Sequence, residues 1–405
     1  MAKEHPIDVE VREKRRLQDE CAARKCNRTA QLVLITVSAL LLVAFGVGIY
    51  LLPQKTVSEE ENRALQTFPR FSLESLLSGE FTASLATFYA DQFPLRDAFV
   101  GLKGATEIAM QKQENNGVLC GKDGTLIDRL EYDDSAYKTL DTNLSACDRF
   151  REITADQKIP LTFAVAPRTV DVLKSAYPAL YSPDRADVLL AKIRASAPDC
   201  VDLSVPLSER ADAGEYVMYR TDHHWTSLGA YYAYVALAET MGYTPLPRDA
   251  FTEETVSETF CGTTYSASGM KWIEPDRVTL FRITGDDRFS VTVHDTEKTT
   301  YGFYAFDALA EKDCYRVFLG GNHGHVSIRK TDADRETLLL VKDSFALSLV
   351  PFLAQHYDIE MIDLRYYSGK TVDLIPTADR VLVLMGADSL AESDVLRKLL
   401  FGAQS

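Results

Sequence analysis

The chain has 405 residues, room for roughly two to four units at ~100–200 residues each or for one large domain with additions. It is 46% hydrophobic and 25% charged, which excludes a wholly disordered, collagenous or small disulfide-scaffold protein. With 44 basic and 59 acidic residues the net charge is −15, which argues against a general nucleic-acid binder, since that needs a basic face.

The charge is uneven. Residues 1–30 hold eight Lys/Arg and six Asp/Glu, a balance of +2 that leaves −17 on the rest. Residues 32–52, LVLITVSALLLVAFGVGIYLL, form an uncharged run of 21. As a helix at ~1.5 Å per residue it is about 31 Å long, enough to span the hydrocarbon layer. A core helix would show a polar face, and a cleaved signal peptide has a shorter apolar region with an A-x-A-like site. A retained transmembrane helix is expected. Arg12, Lys14, Arg15, Arg16, Arg24, Lys25 and Arg28 precede it, whereas Glu59, Glu60 and Glu61 follow closely. The positive-inside rule puts the tail, residues 1–31, in the cytoplasm and the large remainder outside the cell membrane.

Residues 53–114 read as an extracytoplasmic helical stalk or cap. Apolar residues recur at Leu73, Leu76, Leu77, Phe81, Leu85 and Phe88, then after Pro94 at Phe99, Leu102 and Ile108. Residues 115–405 are assigned to one catalytic domain. NNGVLCGKDGTLI at 115–127 predicts a hairpin at its start. Strands are expected at 159–166, 200–203, 278–283, 289–293, 315–319, 337–341, 359–364 and 380–385. Helices are expected at 184–197, 227–241 and 389–400. Short apolar strands alternating with helices predict an α/β domain with a mostly parallel sheet. Cys120, Cys147, Cys200, Cys261 and Cys314 lie on the outer side at wide spacings with no C-x-x-C pair. A disulfide is permitted there, and no structural zinc site is indicated.

Three strings carry candidate chemistry. YRTDHHWT at 219–226 sets Asp222, His223 and His224 just before a helix. A carboxylate two residues from an imidazole can hold one ring nitrogen, fix the tautomer and stabilise the imidazolium. Neighbouring side chains in an extended loop face opposite ways, so His223 is expected to point elsewhere. The competing reading is a packed histidine with a helix-capping aspartate. LLLVKDSF at 338–345 runs an apolar strand into Asp343 and Ser344, and open α/β folds place their sites at that edge; the competing reading is again an ordinary N-cap. LGGNHGHV at 319–326 offers Gly321 and Asn322 as oxyanion donors, or a plain tight turn. His323 and His325 with Asp222, His223 and His224 have the residue types of a metal site, but spacing does not show that they meet.

Together these strings resemble the DHHW protein family, which is similar to alginate O-acetyltransferases of the AlgJ/AlgX type within the SGNH hydrolase superfamily. SEEENR at 58–63, FPRFS at 68–72, DQFPLRD at 91–97, NGV at 116–118, TDHHW at 221–225, GGN at 320–322 and KDSF at 342–345 carry the resemblance in the family's order. It implies an SGNH hydrolase-like three-layer α/β/α domain with permuted motif order. It also implies a triad of Ser344, His224 and Asp222, with no metal and no cofactor. The implied activity is serine-dependent O-acetyl transfer to a cell-envelope or secreted polysaccharide, with a membrane-bound O-acyltransferase as partner. A carbohydrate acetylesterase of the same fold shares that layout, and a non-catalytic glycan-binding or envelope-assembly protein is the reading from a different class. One departure stands out: Ala346 and Leu347 follow the D-S-F motif where the family leads one to expect a small polar residue.

Overall fold

The computed structural model describes residues 6–58, 63–129, 131–179, 181, 187–331 and 333–402. The chain divides into two compact units, residues 1–100 and 101–405. The sequence reading set its boundary at 114/115, whereas the division falls within the helix Arg96–Ala109.

The first unit begins with one unbroken helix, Pro6–Leu51. Its segment Asn27–Leu51 contains an 18-residue stretch with a mean hydropathy of 2.7, almost wholly exposed, so it is long and apolar enough to cross a membrane. The expected helical character of the following region appears as Leu73–Leu77 and Glu80–Asp91. Asp91 is buried and accepts from both guanidinium nitrogens of Arg63 and from the Gln66 amide. The Arg63 hydrogen bond holds its carboxyl below the usual range.

In the second unit three short antiparallel strands, Glu114–Asn115, Val118–Cys120 and Leu126–Asp128, satisfy the expected hairpin. Among the described residues the central sheet has eight strands: β1 (Leu161–Ala166), β2 (Val201–Asp202), β3 (Phe289–Val293), β4 (Lys298–Tyr301), β5 (His325–Lys330), β6 (Thr337–Lys342), β7 (Asp358–Ile362) and β8 (Arg380–Gly386). Their order is β4-β3-β5-β7-β6-β8-β1-β2. The five strands from β7 to β2 pair in parallel. β4, β3 and β5 extend the sheet in antiparallel pairing.

Alternation along each strand builds two cores, because successive side chains leave a sheet on opposite faces. Leu338 and Leu340 of β6 and Leu382 and Leu384 of β8 enter one core, against Ala233, Tyr234 and Leu237 of the helix Ser227–Met241. Leu339, Val341, Val381 and Val383 enter the other, against Leu140, Leu144, Cys147 and Phe150 of the helix Asp134–Asp156. Each such fully buried aliphatic side chain contributes about 1.5–3 kcal/mol. A sheet with helices on both faces is the three-layer α/β/α arrangement that the resemblance implied.

Two expected elements differ. Residues 315–319 do not form a strand: Cys314–Val317 is a 3₁₀ turn, because Tyr315, Val317 and Phe318 all bury into one core rather than alternating. Residues 389–400 are not one helix but Ala387–Glu392 followed by the 3₁₀ segment Val395–Leu400. The Asn143 amide supplies the reason. It donates to the Leu390 and Ser393 carbonyls at 2.8 and 2.7 Å and accepts from the Leu396 amide, so the break is hydrogen-bonded without a helix. The expected helix at 184–197 is described as Asp187–Ser196, since 182–186 lie outside the described residues.

Candidate active site

Ser344 lies two residues beyond β6, after Asp343. The strand is apolar because both of its faces are covered, and it ends where Asp343 caps the 3₁₀ turn Ser344–Ser348. Asp343 Oδ1 accepts from the Phe345 amide at 3.1 Å, while Oδ2 accepts from the Gly386 amide at 2.7 Å and the Ser389 hydroxyl at 2.8 Å. Asp343 is therefore a cap that also ties the turn to the end of β8. The helix Val350–Leu353 starts later, with Pro351 in its first turn where a missing N–H is tolerated.

Asp222 and His224 sit in a bend between Met218 and Trp225, which form an antiparallel bridge. Asp222 Oδ1 accepts from the backbone amide of His224 at 3.0 Å and from its ring Nδ1 at 2.5 Å. A carboxylate bonding to the amide two residues on is an Asx turn, and here it also swings the imidazole back onto the same oxygen. Thr226 then caps the helix Ser227–Met241, its hydroxyl accepting from the Gly229 amide at 3.1 Å.

The two segments meet. Nε2 of His224 lies 2.7 Å from the Ser344 hydroxyl oxygen, across 120 residues of sequence. Trp225 locks the approach, its indole N–H donating to the Phe345 carbonyl at 3.1 Å and the Ser348 hydroxyl at 2.9 Å. Ala346 and Leu347 are wholly buried, so Ser348 provides the polar contact one turn along.

Burial opposes charge on Asp222, but His224, His223 and the hydrogen bonds from His224 and the Thr263 amide outweigh it and keep the carboxylate ionised. For His224, burial and then the neighbouring His223 lower the imidazole below its ordinary value, against the pull of Asp222. A neutral ring whose Nδ1–H donates to Asp222 leaves Nε2 free to accept the Ser344 proton.

His223 corrects an expectation. It does not point away: its ring centroid lies 3.8 Å from that of His224, and Nδ1 is 2.7 Å from the Thr263 hydroxyl. The segment is a tight bend, so the opposite-face rule for extended chain does not apply. His323 and His325 are engaged away from Asp222: His323 bonds the Leu319 carbonyl at 3.2 Å, and His325 bonds Glu360 at 2.6 Å. His325 instead groups with His294 and Glu360.

Leu319, Gly320 and Gly321 all have positive φ, at 58°, 76° and 101°, so the chain reverses sharply before β5. This turn commits the Gly321 amide to the Phe318 carbonyl at 3.1 Å. Asn322 remains exposed, with Oδ1 accepting from Lys342 Nζ at 2.7 Å. The Ser344 amide lies in the first turn of its 3₁₀ segment, where N–H groups have no partner within the helix.

Three residues went unnoticed in the sequence. Tyr315 stacks flat on His224, with centroids 4.1 Å apart and planes 11° apart, and donates to the Ser344 carbonyl at 3.2 Å. Thr263 holds Asp222 Oδ2 through its amide at 2.8 Å and its hydroxyl at 3.0 Å. A Cβ at Gly262 would sit 2.3 Å from the Asp222 side chain, so only glycine fits.

The model of the family described as DHHW protein matches residues 189–362, a span that contains Asp222, His224 and Ser344, and the resemblance read from the motifs holds. The probable alginate O-acetylase AlgJ of Pseudomonas putida is 28% identical over 183 residues, 44% of this chain and 47% of that protein. The chain thus spans about half the length of the curated relatives it matches. The crystal structure of a DHHW family protein from Eubacterium siraeum superposes with a TM-score of 0.57 at 23% identity, covering 70% of this chain and 95% of that one. Bacillus cereus PatB1 superposes with a TM-score of 0.57 at 17% identity, covering 69% and 98%. These likenesses establish the fold.

Proposed function

We propose that this chain is a serine-dependent O-acetyltransferase that modifies a cell-envelope or secreted polysaccharide from the outer side of a membrane. The observation that carries the reading is the continuous hydrogen-bonded chain from Ser344 through His224 to Asp222. Ser344 Oγ attacks the carbonyl carbon of an acetyl ester as its proton passes to His224 Nε2. Asp222 stabilises the imidazolium. The negative oxygen of the tetrahedral intermediate is met by the Ser344 amide and the Asn322 carboxamide. Collapse expels the donor's oxygen, which takes the proton from His224 and leaves acetyl-Ser344. A sugar hydroxyl then attacks, giving its proton to His224, and departs as the acetyl ester while Ser344 is restored.

The AlgJ relatives, named as alginate O-acetylases, support acetyl transfer to a polysaccharide. The Asn27–Leu51 helix supports a single-pass anchor, and its basic flank supports a cytoplasmic N-terminus. On this reading a membrane-bound O-acyltransferase supplies acetyl groups. The full chain, purified in detergent, is tested with an acetyl-ester donor, with and without oligosaccharide acceptors. Acetylated sugar is the expected product, and the Ser344→Ala protein should yield none. Acetate released at the same rate whatever acceptor is present would instead mark an esterase. Failure of a fluorophosphonate to label Ser344, with no acetyl release, would favour a non-catalytic glycan-binding protein. Protease added outside intact cells should digest the large domain; its protection would invert the topology.

A further inference from the structure

Lys342 is a fully buried lysine two residues before Ser344. Burying an ammonium is costly unless it is paired and hydrogen-bonded. Its pair is Asp363, with Nζ 3.1 Å from Oδ2. Asp363 would not need a lysine, however. Arg365 already clamps it, with Nε 2.9 Å from Oδ1, a terminal nitrogen 2.6 Å from Oδ2, and its own amide on Oδ1 at 3.1 Å. What Lys342 adds is its shorter bond, 2.7 Å to Asn322 Oδ1.

An ammonium only donates. It therefore decides which way the Asn322 carboxamide lies: Oδ1 must face Lys342, and the NH₂ group must face away. Asn322 is exposed while Lys342 is buried, so the NH₂ group is offered on the open side of the turn. Lys342 and Arg365 share the Asp363 carboxylate behind this amide. Resting on the acyl-transfer reading above, we infer that Lys342 is a positioning residue that fixes Asn322 as an oxyanion donor. Asp363 and Arg365 are the support that lets an ammonium stay buried there.

The test is a double-mutant cycle on the full chain, read as kcat and KM for acetyl-ester turnover. Losing one oxyanion donor typically lowers kcat about 10²–10³-fold. Asn322→Ala and Lys342→Met should each do so with the donor KM nearly unchanged. The Asn322→Ala/Lys342→Met protein should be no slower than Asn322→Ala alone, because Lys342 acts only through Asn322. Multiplying losses, or full kcat in Lys342→Met, would overturn the inference. Asn322→Asp covers the case in which Lys342→Met does not fold. It keeps the lysine's partner but replaces the donor with oxygen, so kcat should fall as in Asn322→Ala; retained activity would overturn the inference. Ser344→Ala run alongside separates the two levels. Activity there sinks the acyl-transfer reading itself, whereas a dead Ser344→Ala beside a fully active Asn322→Ala sinks only the role of Lys342 and Asn322.

Discussion

The two halves of the central sheet share one hydrogen-bonded ladder but stand in opposite relations to water. β6, β7 and β8 are buried almost throughout, with helices on both faces. β3 and β5 alternate: Phe289, Val291, Val293, Val326 and Ile328 are buried, while Ser290, Thr292, His325, Ser327 and Arg329 are partly exposed, and β4 is exposed along its length. A histidine–carboxylate pair stands at the end of the parallel half and another at the seam between the halves. In the parallel half His224 and Asp222 face a serine at a strand end. Where the antiparallel half joins it, His325 of β5 and Glu360 of β7 are joined by Ser327 and Arg329, with Ser327 Oγ 2.7 Å from Glu360 Oε2. The serine there is a mid-strand residue spent on the carboxylate. Residue types alone do not set a hydroxyl against an imidazole; a strand end that presents the serine does.

The largest expected effect tests that contrast directly. Ser344→Ala and His224→Ala should each lower kcat about 10⁶-fold, and the double change should cost little more, because the residues act as a unit. His325→Ala should leave kcat within about twofold, as expected of a residue outside the reacting unit. A comparable loss at His325 would erase the distinction between the two pairs. Next comes Asp222→Asn, which should lower kcat about 10⁴-fold through the wrong tautomer while leaving the circular dichroism spectrum intact.

Stability should divide along the same line. Leu340→Ala, in the doubly covered half, should cost about 2–5 kcal/mol in denaturant unfolding. Thr292→Ala, on the open polar face, should stay within about 1 kcal/mol. Equal costs would mean that both halves are equally packed. A smaller effect is expected at Gly262, where alanine pushes Asp222 away from His224; kcat should fall about 10²-fold, as an ångström of misplacement typically costs.

The smallest effect concerns pH. On the proposed mechanism His224 must be neutral, so activity should be lost as pH falls through its pKa, which lies below the ordinary imidazole value because of burial and then His223. His223→Ala removes the neighbouring charge. The acid limb of the pH–kcat/KM profile should then move upward. A limb that stays put or moves down would show that His223 does not act on His224.

Legibility in the sequence follows the range of each interaction. The D-x-H string was readable because Asp222 and His224 are joined by a turn that spans two residues, and the D-S string because a strand ends in its own cap. β1, β6 and β8 were readable as near-continuous apolar runs. β4 was not, since an exposed edge strand of Lys298, Thr299, Thr300 and Tyr301 has no hydrophobic pattern to read. Tyr315, Thr263 and Gly262 escaped because their partners lie 40 or more residues away, or arise only once two segments pack. The break after Glu392 escaped for the same reason, being set by Asn143 in a distant helix.

The 120 residues between His224 and Ser344 also set a clock. Translation adds about 5–20 residues per second, so His224 is made roughly 6–24 s before Ser344 exists. In that interval Trp225 has neither the Phe345 carbonyl nor the Ser348 hydroxyl to bond, and β7 and β8 have yet to be made. Ser344 first meets His224 only after the strands on both sides of β6 have been synthesised. A nascent chain therefore holds no paired His224 and Ser344 until the sheet around β6 has its sequence in full.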